Sequence, residues 1–445
     1  MVLLMQDEMQ KDNAVFSKAN TSVVISRIKS LLEETKGKDS FLDVLFGASQ
    51  KAVLEGKSII LFGGGALGKE MLYALQHLNI FPAAFCDNNT SVQGKNIKGL
   101  PVISPEQLRA DYPDSFVIIC ISKHEDSIAK QLIKLGVNSE CIFRKESNTT
   151  NKLIAMYTMV GTQASYWHHH ERCLPDSMLQ RFMQMSDKLD EAYECYQDQY
   201  SKDVFVYKLA IFASGLHFWL FKQFMLLYSE PCHEFGVLGY DDTPEDYYYF
   251  NNDVFNIDNG EIYLDVGAYD GDTVLSFITA SQKQDVAYKE IIAIEPDPSC
   301  FDLLVSNTKE CENTSIHQVG LWYETSQINF LTSEETIHAQ AGNITTTVDD
   351  RTVTINVHRL DDFLEGEKVT FIKMDPSGDI VRQVLMGGEK TIRTHKPKLA
   401  LGIYHSLEEF IDIPILLKEW CPEYKLFLRH NTYHLSDTDL YAHVG

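Results

Sequence analysis

The stretch Glu261-Ile262-Tyr263-Leu264-Asp265-Val266-Gly267-Ala268-Tyr269-Asp270-Gly271-Asp272-Thr273 reads as a buried strand, a tight turn and the start of a helix. Apolar residues run into an acid, two glycines come next, and a helical pattern takes over across 274–278. Glycine at such a turn lets the backbone come close to a ligand. A second buried strand, Ile291-Ile292-Ala293-Ile294, ends in Glu295, about twenty residues past the turn. In a doubly wound sheet, ligands bind outside the carboxyl ends of the strands, and an acid ending the second strand can hold a ribose diol. This half of the chain is therefore expected to bind a nucleoside-like cofactor.

The pattern continues to the end of the chain. A helix is expected across 301–308, a third strand across 315–319, and a polar, Thr-rich excursion at the ligand end of the sheet across 332–352. Residues 353–357 are a strand candidate, and Asp361 and Asp362 look like caps of the next helix. A fourth strand (369–374) ends in Asp375, and a fifth (399–403) ends in Tyr404-His405. Segments 424–428 and 440–443 would close the sheet as an antiparallel pair.

Asp265-Val266-Gly267-Ala268-Tyr269-Asp270-Gly271-Asp272-Thr273, with Ala293-Ile294-Glu295-Pro296-Asp297 after it, resembles the S-adenosylmethionine site of class I methyltransferases, most closely the FkbM type. The likeness runs in order through His317-Gln318-Val319-Gly320-Leu321-Trp322, Arg359-Leu360-Asp361-Asp362-Phe363-Leu364 and Phe371-Ile372-Lys373-Met374-Asp375. It ends with Lys396-Pro397-Lys398-Leu399-Ala400, Ile403-Tyr404-His405 and Leu428-Arg429-His430, and so covers roughly 245–445. The resemblance implies that Asp265, Gly267, Tyr269, Asp270, Gly271, Thr273, Glu295, Gly320 and Leu321 hold S-adenosylmethionine, with Gly320 to Trp322 beside the adenine. It implies an acceptor hydroxyl on a sugar, glycan precursor or secondary metabolite.

A hydroxyl acceptor must lose its proton. His405 is the candidate base, because it comes after the fifth strand beside Asp375 and an imidazole titrates near neutral pH. The alternative is a hydrogen-bonding histidine that shapes the pocket. Asp375 is assigned to positioning cofactor or acceptor, His430 is a weaker base candidate, and Lys373 is expected to face the sheet's surroundings. One departure stands out. The family pattern at the fourth strand's end is Asp-Ile/Val-Glu-Gly-Ala-Glu, whereas this chain has Asp375-Pro376-Ser377-Gly378-Asp379-Ile380. Ser377 replaces a carboxylate, which opens the alternative of a catalytically impaired scaffold that binds cofactor or nucleotide-sugar.

A second α/β unit precedes this one. Ser58-Ile59-Ile60-Leu61-Phe62 leads into Gly63-Gly64-Gly65-Ala66-Leu67-Gly68, a Gly-x-Gly-x-x-Gly turn between strand and helix. The next strand ends in Asp87, about twenty residues on. With Asp87-Asn88-Asn89, Gly94 and Leu100-Pro101-Val102-Ile103-Ser104-Pro105, the region resembles small Rossmann-like domains of sugar-modifying transferases. Gly63, Gly65, Gly68 and Asp87 are its candidate nucleotide or nucleotide-sugar site, against a shell used only for packing or dimerisation.

The reading divides the chain into a helical extension (1–55), a Rossmann-like domain (56–146), a helical linker (147–250) and a methyltransferase domain (251–445). The class is α/β, two doubly wound sheets joined by helices. In the extension, Val23, Val24, Ile28, Leu31 and Leu32 fit one helix face, expected to pack on the domain after it. The most apolar window, 209–221, reads as a buried helix too short to span a bilayer. Trp167-His168-His169-His170 lacks metal-ligand spacing, so no metal is expected. With 39 basic against 63 acidic residues, the net charge of -24 opposes binding to nucleic acid or anionic lipid. The nine scattered cysteines include no Cys-x-x-Cys, and the N-terminus shows no signal-peptide pattern, so a cytoplasmic location is expected. The expected partner is a small-molecule or glycan acceptor, and a homo-oligomer is compatible with the sequence.

Overall fold

The computed structural model describes residues 22–38, 56–77, 80–121, 124–143, 175–215, 217–228, 249–250, 252–332, 343–344, 352–376, 380–432 and 437–445. Two α/β sheets carry the chain. The first contains β1 (Ser58–Phe62), β2 (Ala84–Cys86), β3 (Asn96–Ile97), β4 (Leu100–Ile103), β5 (Ser115–Ile119) and β6 (Ile142–Phe143), in the order β3-β4-β2-β1-β5-β6. Its pairs are parallel except β3 with β4. After an initial serine, β1 and β5 are apolar and buried, as strands inside a parallel sheet are.

The second sheet contains β7 (Ile262–Val266), β8 (Glu290–Ile294) and β9 (Thr314–His317) on one side. A four-stranded sheet branches from it, made of β10 (Gly320–Leu321), β11 (Ser326–Leu331), β12 (Asn343–Ile344) and β13 (Thr352–His358). The main sheet resumes with β14 (Phe371–Met374), β15 (Lys398–Gly402), β16 (Lys425–His430) and β17 (Thr438–His443), giving the order β16-β17-β15-β14-β7-β8-β9. β17 runs antiparallel to both β15 and β16, and the other pairs are parallel. Strand order reverses between β7 and β14, and their carboxyl ends open the crevice where such sheets bind ligands. One face is sealed by aromatic packing: Phe250 meets Tyr263, Phe277 and Phe371 edge-on at 5.4–5.7 Å.

The helices between the sheets are docked on the second one. Gln197 N–H donates to the Leu426 carbonyl at 2.9 Å, and Arg429 bonds both Asp198 and Asp253 at 2.8 Å. The apolar window is not one helix. It breaks at Ser214 and Gly215, which takes φ +67°, between helices Gln199–Ala213 and Phe218–Tyr228. The helix Val23–Glu34 is capped by Ser22 and buries Val24, Ile25, Ile28 and Leu31. Val23 is instead 49% exposed, and the helix packs on Ser186–Cys195 and Gln199–Ala213 rather than on the first sheet. Among the described residues, no helix is long and apolar enough to cross a membrane. The His168–His170 run and Ser377 lie outside the described residues.

Candidate active site

At the β7/β14 crevice lies a cavity of about 360 Å³, within the range of small-molecule sites. Its floor is built by local rules. β7 ends at Val266, and Gly267 turns the chain at φ +78°. A Cβ there would sit 3.1 Å from the Asp375 carbonyl and from Pro376, so the two strand ends approach only because residue 267 has no side chain. Tyr269 also takes a positive φ, +47°, and donates its N–H to Glu295 Oε2 at 3.0 Å. Glu295 Oε1 accepts from Asp297 N–H at 2.8 Å. Burial pushes the Glu295 carboxyl up to about 7, against those two N–H bonds that favour its ion.

Gly267, Tyr269, Thr273, Glu295, Gly320 and Leu321 line the cavity with Asp375 and His405. Asp265, Asp270 and Gly271 do not, and work behind it. Asp265 is fully buried, with Thr273 Oγ1 donating to one oxygen and Lys373 Nζ 3.2 Å from the other. Asp270 accepts from Asp272 N–H at 3.2 Å. Gly271 takes φ +93°, and a Cβ there would crowd Thr308 and Leu304 of the next helix.

Lys373 does not face the sheet's surroundings. It stands in register with Asp265 on the neighbouring strand, donates to the Gly267 carbonyl at 3.0 Å and lines the cavity. Desolvating that ammonium is tolerable only beside the buried carboxylate. Nor does Asp361 cap its own helix, whose N-cap is Arg359 without a side-chain bond. Asp361 accepts from the N–H groups of Lys390 and Thr391 at the start of helix Glu389–His395. Asp362 accepts from Thr325 Oγ1.

At the other end of the cavity, Asp375 Oδ2 accepts from Tyr249 Oη at 2.9 Å and Tyr404 Oη at 3.2 Å. His405 Nε2 lies 3.9 Å from Asp375 Oδ1, and its ring stacks on Tyr404 at 4.1 Å. Burial, with the Asp375 charge beside it, raises the Tyr404 phenol well above its ordinary value and keeps it a donor. His430 is away from this cavity, buried against Phe224 and within 2.9 Å of Thr438 Oγ1.

The branch sheet supplies an apolar wall. Ile328 faces Ile355 across the strands, and Phe330 and Val357 continue the same face, while Gln327 and Asn356 bond each other on the opposite face. The period-2 alternation was the available signal for these lining residues. Lys373, Ile328, Phe330, Ile355, Val357, Ile380 and Val384 are lining residues that sequence reasoning did not assign.

A glycine cradle, a buried acid at the second strand's end and apolar walls fit an adenosyl group. The family comparison agrees: residues 265–435 match the model for the methyltransferase FkbM domain. These residues carry the sequence pattern of an FkbM methyltransferase domain. The chain is thus of the S-adenosylmethionine-dependent methyltransferase class. Residues 55–143 match the C2185-like N-terminal domain. A solved FkbM methyltransferase from Methylobacillus flagellatus KT is similar in fold over 95% of this chain and 99% of its own, at 18% identity and a TM-score of 0.55. A methyltransferase from Podospora anserina, bound to SAH, overlaps 42% of this chain and 72% of its own at 10% identity, with a TM-score of 0.24. No curated protein matches the sequence.

In the first sheet, Asp87 spends its carboxylate on the chain's own backbone, accepting from Gly64 N–H in the turn after β1 and from Asn89 N–H in its own loop, both at 2.9 Å. A Cβ on Gly68 would overlap the Gly63 carbonyl oxygen, and one on Gly63 would meet the Cys120 carbonyl at 2.8 Å. Gly65 has open space around it.

Proposed function

We propose that this chain is a cytoplasmic O-methyltransferase acting on a hydroxyl of a sugar, glycan precursor or secondary metabolite. The observation that supports this reading is the convergence of Asp375, Tyr404 and His405 on the same cavity as Gly267 and Glu295. Glu295 would take the ribose hydroxyls, while Gly267, Tyr269 and Thr273 border the rest of the adenosyl group and Gly320 and Leu321 the adenine. Bound S-adenosylmethionine supplies a methyl group activated on a sulfonium. The protein orients the acceptor oxygen, excludes water and removes the proton. His405 Nε2 takes the hydroxyl proton, and Asp375, held by two tyrosines, orients His405 or the acceptor.

The rival reading is a scaffold with impaired turnover, and Ser377 in place of the family's glutamate favours it. Calorimetry with S-adenosylhomocysteine tests what both readings share, and absence of binding sinks both. A labelled-methyl screen over glycan and metabolite extracts separates them, because only the enzyme transfers label.

For the N-terminal turn we infer a packing role over a nucleotide or nucleotide-sugar site. Gly63 and Gly68 are needed for close approach, and a ligand would have to draw Asp87 off Gly64.

A further inference from the structure

Gly402 ends β15, one step past the Met374–Leu401 pair, and so lies beside Asp375. Its backbone does not adopt the positive φ that calls for glycine. What excludes a side chain is the Asp375 carboxylate. A Cβ on residue 402 would overlap Asp375 Oδ1, lie 2.9 Å from its Cγ and 3.2 Å from Tyr404 Cε1. The carboxylate occupies the space a side chain would take. There Oδ2 accepts from Tyr249 and Tyr404, which reach it from different segments of the chain. Oδ1 has no hydrogen-bond partner among the described residues and is the oxygen nearest His405 Nε2.

We propose that Gly402 is a positioning residue: it lets the Asp375 carboxylate lie across the end of β15, where Tyr249 and Tyr404 clamp one oxygen and turn the other toward His405. The other close approach at residue 402, to the edge of the Tyr404 ring at 3.2 Å, is relieved by a shift of a few tenths of an ångström. An alanine there displaces Asp375, breaks both tyrosine bonds and removes the oxygen that faces His405. The functional part of this inference rests on reading Asp375 and His405 as the acceptor end of a methyltransferase site.

The test is a double-mutant cycle in the full chain, combining Gly402→Ala with Asp375→Ala. In the wild-type background, Gly402→Ala lowers the melting midpoint by about 2–4 °C. In the Asp375→Ala background the same change costs less than half as much, because the carboxylate it strikes is gone and only the Tyr404 ring edge remains to give way. Equal losses in both backgrounds overturn the proposal. Should Gly402→Ala alone fail to fold, recovery of folded protein by adding Asp375→Ala supports it, and failure to recover overturns it. In the labelled-methyl screen, Gly402→Ala transfers about 100-fold more slowly with its affinity for S-adenosylhomocysteine within about twofold of wild type. Full transfer by that variant overturns the functional part. A wild-type chain that does not bind S-adenosylhomocysteine defeats the methyltransferase reading, while the melting cycle still decides the geometry.

Discussion

With Glu295 as the proposed ribose ligand, cofactor binding should depend on pH. In the free protein its carboxyl is pushed from 4.5 up to about 7, chiefly by burial. Between those values the native state holds a proton that the unfolded chain has released. The resulting stability is fully present below pH 4.5 and is lost as the pH rises through about 7. The difference amounts to about 3 kcal/mol at roughly 1.4 kcal/mol per unit. In the proposed binding mode the ribose hydroxyls donate to the ionised carboxylate, so binding must first remove that proton. The penalty factor is one plus ten raised to the gap between about 7 and the solution pH. It is about 11 at pH 6 and about 1.1 at pH 8, so affinity for S-adenosylhomocysteine falls about tenfold from pH 8 to pH 6. Calorimetry in buffers of different ionisation enthalpy would show proton release on binding near pH 6. Glu295→Gln, which keeps the shape without the charge, should bind more weakly and with no slope over this range. A flat wild-type profile, or a slope that survives Glu295→Gln, would refute the reasoning.

The same geometry sets three further outcomes. Lys373→Met leaves Asp265 buried without its cation, and urea unfolding should show a loss of about 3–5 kcal/mol. His405→Ala should slow labelled-methyl transfer by about 10²–10⁴-fold while S-adenosylhomocysteine still binds, and full activity would remove His405 as the base. Gly68→Ala should lower the thermal midpoint, because its Cβ meets the Gly63 carbonyl, without altering S-adenosylhomocysteine binding at the distant cavity.

The strand, turn and acid at the proposed cofactor end were legible because they are local. The strand running into Gly267 and the acid closing the next strand are each contained in a short stretch, and β7 and β8 then pair in register. The acceptor end was less legible because its contacts are distant in sequence. Tyr249 reaches Asp375 across 126 residues, so the pairing cannot be read from either stretch alone. Lys373 faces the cavity and not the sheet's surroundings because its in-register partner on the neighbouring strand is the buried Asp265. Asp361 had the residue type of a cap but serves a helix 30 residues on, since Arg359 already starts its own. The branch sheet had visible alternation in Ile328-x-Phe330 and Ile355-x-Val357. Which face met the cavity depended on the pairing of β11 with β13.

The most direct test is a crystal structure of the chain with S-adenosylhomocysteine. The ribose hydroxyls are expected on Glu295, the backbone of Gly267 against the ligand, and the sulfur end toward Asp375 and His405. Ligand bound elsewhere, such as at the Gly63–Gly68 turn, or a β7/β14 crevice that stays empty at saturating concentration, would contradict the account.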